Sequence, residues 1–230
     1  MPDVADLLAP LQQPLFTVLD TPVSWTEVLG FGSGALCVWL VARQHIANWP
    51  IGIANNLFFI LLFTGAGLYA DAGLQVVYIA LAVYGWWTWA TGGPEPASGR
   101  LPVSRTGART WWVLALATAA ATAALTLLLD RATDSTVPFW DALTTALSLA
   151  ATYGQCRKKV ECWYLWIAAD VVYVPLYAHK GLYLTALLYV GFMALCVVGL
   201  LGWRRELADR TGPAGPAGPA GPAAAAEAMA

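Results

Sequence analysis

A few polar side chains interrupt an otherwise apolar chain, and their spacing is helical. Trp163, Trp166, Asp170, Tyr173 and Tyr177 follow one another at i, i+3, i+7, i+10 and i+14. At about 100° per residue all five fall on one face, within an arc of about 80°. A second stretch repeats the spacing with Trp49, Gly52, Asn56, Phe59 and Phe63. A third adds Gln75 and Tyr78, one turn apart and predicted to face the same way as Trp86 and Trp89. Rings, amides and one carboxylate gathered from three helices make a slot for a flat, hydrophilic ligand with hydroxyl groups, and suit a cationic ring as well.

Each of these residues also has a plainer use. Trp49, Trp163 and Trp203 lie near the ends of apolar runs, where an interfacial aromatic belt is as good a reading as a ligand contact. For Asn55, Asn56 and Gln75, interhelical hydrogen bonds compete with ligand contacts on equal terms. Tyr84 and the Trp86-Trp87 pair suit packing. Asp170 is the hardest to place structurally, because an acid at mid-membrane costs roughly 2.5–3.5 kcal/mol; an interhelical hydrogen bond is its alternative use. No catalytic set accompanies these groups. His45 and His179 fall in loops at opposite ends, with no HExxH, phosphate loop or nucleophile beside them; the chain reads as a non-enzyme without cofactor or metal. Cys37, Cys156, Cys162 and Cys196 form no CxxC pair and read as small hydrophobes.

The elements that must position these groups follow from composition. Of 230 residues 59% are hydrophobic and 11% charged, against about 25% charged in soluble domains, which excludes a water-soluble globule. A net charge of −2 argues against a nucleic-acid partner. Apolar runs of the length a bilayer demands occur at about Thr26–Ala42, Pro50–Phe63, Gly73–Ala90, Trp111–Leu129, Pro138–Cys156, Trp163–Ala178 and Leu182–Trp203. They are continuous rather than alternating, hence helices. The first 25 residues form an extracytoplasmic segment whose Leu7–Leu11 stretch suits the membrane surface, and residues 204–230, ending in Gly-Pro-Ala triplets, read as a disordered cytoplasmic tail. Ten basic residues (Arg43, Arg100, Arg105, Arg109, Arg157, Lys158, Lys159, Arg204, Arg205, Arg210) fall on one side of seven spans, and Arg131 and Lys180 on the other. The positive-inside rule then puts the N-terminus outside and the C-terminus in the cytoplasm.

The chain repeats itself. GLYADAGLQVVYIALAVYGWWTW from Gly67 aligns without a gap on GLYLTALLYVGFMALCVVGLLGW from Gly181, and the same offset of 114 pairs Arg43 with Arg157, Trp49 with Trp163, Gly85 with Gly199 and Trp89 with Trp203. Spans one to three (26–90) thus map onto spans five to seven (138–203), with span four, in 91–137, as a linker. An odd linker leaves both triplets running the same way, the parallel-repeat plan of a transporter with its substrate between the halves.

At these residues the sequence resembles the PnuC-type nicotinamide riboside transporter family. The matching stretches are WPIGIANNLFFILLF, GLYADAGLQVVYIALAVYGWWTW and WYLWIAADVVYVPLYAHKGLYLTALLYVGFMALCVVGLLGW. The resemblance implies an all-α membrane protein with a 3+1+3 plan similar to SWEETs, a homotrimer, and facilitated diffusion of nicotinamide riboside across the bacterial inner membrane with trapping by cytosolic phosphorylation. It implies Trp163, Trp166, Asp170, Gln75, Tyr78 and Asn56 as pocket residues, to which the helical face adds Tyr173. Related carriers take thiamine, riboflavin or deoxynucleosides, and proton coupling or a non-transporting receptor are further alternatives. One departure stands out: the family's Glu-Asn-Trp before span six is Glu161-Cys162-Trp163 here.

Overall fold

The computed structural model describes residues 9–18, 21–65, 69–92, 101–133, 136–179 and 183–211. Among them run seven long helices: α1 (Trp25–Ala42), α2 (Asn48–Gly65), α3 (Tyr69–Thr91), α4 (Ala108–Ala132), α5 (Pro138–Cys156), α6 (Cys162–His179) and α7 (Tyr183–Thr211). By length and composition two can cross a membrane, α4 and Tyr183–Arg210 of α7, while Val28–Ala42 is a shorter apolar helix. Gly67, Gly181, Arg100, Lys180 and the Gly-Pro-Ala tail lie outside the described residues.

In the N-terminal segment β1 (Pro14–Val18) pairs antiparallel with β2 (Thr21–Ser24) ahead of α1. One expectation needs correcting. Helix α7 does not stop at Trp203 but continues to Thr211, its last turns braced by an Arg210–Glu206 pair at 3.7 Å and by a hydrogen bond from Gln44 Nε2 to Glu206 Oε2. A run with hydrophobicity lost but helix propensity kept continues as helix.

Neighbouring helices pack in two matching sets: α1 on α2, α2 on α3 and α3 on α5; α5 on α6, α6 on α7 and α7 on α1. Individual contacts recur at the offset of 114. The Trp49 ring covers Gly85 and the Trp163 ring covers Gly199 so closely that a Cβ at either glycine would enter the indole. Trp49 meets Trp89 edge-on at 5.3 Å and 90°; Trp163 meets Trp203 at 5.4 Å and 84°. Trp89 Nε1 donates to Gln155 O at 3.1 Å, and Trp203 Nε1 to Val41 O at 3.3 Å.

Helices α1 and α5 also end alike. Gln44 N–H bonds Val41 O and His45 N–H bonds Leu40 O; Lys158 N–H bonds Gln155 O and Lys159 N–H bonds Gly154 O. These are Schellman caps, with Gln44 at φ 54° and Lys158 at φ 45° in the left-handed position usually given to glycine. The strap 101–107 crosses this end, where Ser104 N–H bonds Lys158 O and Val160 N–H bonds Ser104 O, both at 3.0 Å. Lys159 reaches Ser104 Oγ at 2.8 Å, and burial, with Arg157 nearby, pushes its ammonium pKa down from the ordinary value.

Gly85→Ala and Gly199→Ala are each expected to lower the thermal midpoint in detergent, by an amount matching about 1–3 kcal/mol of overpacking. Gly73→Ala, whose Cβ meets nothing within 4 Å among the described residues, leaves the midpoint unchanged or raises it.

Candidate functional site

A cavity of about 300 Å³ lies between the helices, just above the tryptophan layer. Helices α1, α2, α3, α5, α6 and α7 all contribute to its wall and α4 does not. Of the residues read from sequence, Trp163, Trp166, Asp170, Tyr78 and Asn56 line it, as do Trp49 and Gly52. Gln75 and Tyr173 do not. Tyr173 belongs to a ring cluster beside the cavity, 4.6 Å from Tyr189 and 5.7 Å from Tyr177.

Several sequence readings resolve here. Trp49, Trp163 and Trp203 are 3%, 1% and 0% exposed, so they form a buried layer and not an interfacial belt. Trp86 does not share the inner face of α3; it is exposed while Trp89 is buried. The inner face follows Tyr78, Ala82, Gly85 and Trp89, because Gly85 must sit under the Trp49 ring. Asn55 is an interhelical donor, bonding Ser33 Oγ at 2.6 Å. Cys162 opens α6 against Gly154 and stays off the cavity wall. Its counterpart Asn48 does line the cavity and holds the His45 carbonyl through Nδ2 at 3.0 Å.

The lining also contains residues that the spacing argument missed: Val38, Val41, Thr152, Gln155, Tyr189, Phe192 and Cys196 among them. The offset of 114 carries Gln75 and Tyr78 onto two of these, Tyr189 and Phe192, and relates several of the others to one another. It pairs Val38 with Thr152, Val41 with Gln155, Tyr78 with Phe192, Ala82 with Cys196, and Gln75 with Tyr189.

Three features of the wall are chemically unspent. Asp170 is 5% exposed; the Cys196 thiol donates to its Oδ2 over 3.8 Å, and among the described residues no cation pairs with it. Trp49 Nε1 and Trp163 Nε1 are buried with no hydrogen-bond partner among the described residues, a costly state for a donor. Such a site offers aromatic faces, N–H donors and one carboxylate to a ligand. Below it, Lys158, only 7% exposed, closes the end of the bundle: its ammonium lies 4.4 Å from the Trp89 ring centroid and donates to Gln44 Oε1 at 2.9 Å.

Residues 24–205 match the family described as nicotinamide mononucleotide transporter. The chain belongs to that family. Within it, the chain is 30% identical over 194 residues to the riboflavin/roseoflavin transporter RibM of Streptomyces davaonensis, covering 84% of this chain and 91% of RibM. It is 27% identical over 213 residues to the nicotinamide riboside transporter PnuC of Escherichia coli, covering 82% and 88%. The crystal structure of the vitamin B3 transporter PnuC superposes with a TM-score of 0.64 at 21% identity, over 81% of this chain and 83% of that one, so the fold is that of a family transporter.

Lys158→Met is expected to cost about 1–3 kcal/mol by removing the cation–ring contact and the bond to Gln44. In a double-mutant cycle of thermal midpoints, Gln44→Ala adds less to Lys158→Met than it costs alone.

Proposed function

We propose that this chain is a seven-span uniporter of the bacterial inner membrane, built as two like-oriented three-helix units joined by α4, and that it takes up nicotinamide riboside by facilitated diffusion. The observation that carries the ligand class is Asp170, a buried carboxylate without a cation partner among the described residues, set in a wall of indoles. A pyridinium ring supplies the missing charge and stacks on Trp166, while ribose hydroxyls or the carboxamide accept from the orphan indole N–H groups and meet Asn56 and Tyr78. Cytosolic phosphorylation then traps the vitamin.

The two-unit reading rests on Gln44 and Lys158. Residues at equivalent positions touch each other only near a symmetry axis, and both caps, with both tryptophan pairs, sit at the same end of the bundle. That end carries the basic loops, so it faces the cytoplasm with the C-terminus. Uptake requires the Lys158–Gln44 contact to open while the other end closes, as in other parallel-repeat carriers. The homotrimer carries over from the family resemblance, and chemical cross-linking in membranes tests it.

The two halves are unequal where they meet the ligand. Trp166, Asp170, Gln155 and Cys196 stand opposite Gly52, Asn56, Val41 and Ala82. The ring therefore binds on the α6 side and the sugar fills the space left by Gly52. The identity to RibM favours riboflavin as the second reading, with the isoalloxazine in place of the pyridinium.

Binding calorimetry on the purified protein with nicotinamide riboside, riboflavin and thiamine separates these ligands. Asp170→Asn and Trp166→Ala are expected to abolish nicotinamide riboside binding with insertion and assembly intact; unchanged affinity in both removes the site. Gly52→Trp should abolish binding by filling the sugar space. Uptake into proteoliposomes that equilibrates without a pH gradient supports uniport, and accumulation driven by such a gradient would replace it with proton coupling.

A further inference from the structure

A second hollow lies on the outer face of the bundle, away from the cavity. An apolar groove of about 790 Å³ runs between α4 and α5. Its floor is made of small α4 residues, Ala115, Ala119, Thr122 and Thr126, and Phe139 and Leu143 of α5 wall it. The Thr122 and Thr126 hydroxyls donate back to Thr118 O and Thr122 O within α4, so their donors are already used.

The groove ends at Trp111, and the same tryptophan lines a separate open cleft of about 1050 Å³ at the basic end of the bundle. Strap 102–105, the start of α6 and the end of α7 form that cleft. Among the described residues the Arg105 and Arg204 guanidiniums in it have no hydrogen-bond or ion-pair partner. The one acid among the described residues lining it, Glu161, is already engaged: its Oε2 accepts from Thr106 N–H and Thr106 Oγ1, both at 2.8 Å. Helix α4 starts alongside with no side-chain cap, leaving first-turn N–H groups open.

We propose that this groove and cleft together hold one anionic phospholipid, an acyl chain along α4 and the phosphate headgroup between Arg105 and Arg204. An apolar slot leading through an indole to unpaired guanidiniums matches a lipid part by part. A second copy of the chain would fill the slot but leave those guanidiniums desolvated and unpaired, which is costly.

The test uses the full chain in mild detergent, titrated with phosphatidylglycerol, phosphatidylcholine or inorganic phosphate and read by native mass spectrometry. Phosphatidylglycerol is expected to be retained severalfold over phosphatidylcholine. R105Q and R204Q each weaken that retention about fivefold, the effect of about 1 kcal/mol per surface cation, and Ala119→Phe weakens it by filling the groove. Nine of the ten basic-side residues remain in either variant, so topology is preserved. Equal retention of the two lipids, unaltered retention in both arginine variants, displacement of the lipid by millimolar phosphate, or cross-linking of a Thr122→Cys chain to a second copy would each overturn the proposal.

Discussion

The closed end of the bundle depends on one contact, the Lys158 ammonium held between the Gln44 amide and the Trp89 ring. Both residues occupy left-handed backbone positions where glycine would be strained least, so the strain, about 1–2 kcal/mol each, is kept for the sake of the side chains. The buried ammonium is tolerable because Gln44 relays it to Glu206 on α7 and because the ring face lowers its cost. In the proposed mechanism this is the contact that opens. The glycine-seated tryptophans immediately above it convert that contact into the floor of the cavity.

Symmetry in the backbone and asymmetry in the side chains then divide the labour. Trp49 and Trp163, with Gly85 and Gly199 beneath them, repeat the same packing at the offset of 114. Trp166 against Gly52, and Asp170 against Asn56, make the wall directional. In the proposed mechanism a ligand with one charged ring and one polar sugar binds in a single orientation, and the same pairing of large with small residues sets its size.

Much of this architecture is legible in the sequence because membrane burial leaves few polar residues, and those few carry a period. Contacts such as Trp49 over Gly85 and Trp163 over Gly199 recur at the offset of 114, and five of the seven residues chosen for the site line the cavity. Trp86 misleads because an ideal helical wheel places it with Trp89, whereas the real inner face of α3 is set by where the Trp49 ring needs a glycine; Gln75 is not among the residues that line the cavity. Trp163 near a span end looks interfacial only until the loop 157–161 and strap 101–107 fold over it. The β1–β2 hairpin is too short and too proline-rich for its pattern to stand out. The Lys158–Gln44 contact is invisible without coordinates, since neither residue differs in type from an ordinary topology-setting loop.

Counterflow of nicotinamide riboside in proteoliposomes carrying a Gln44→Cys/Lys158→Cys chain tests the central claim most directly. Tethering the two thiols with a bifunctional reagent should stop exchange while calorimetric binding persists, and cleaving the tether should restore it. Exchange that continues at the same rate with the two positions tethered would contradict an opening at this junction.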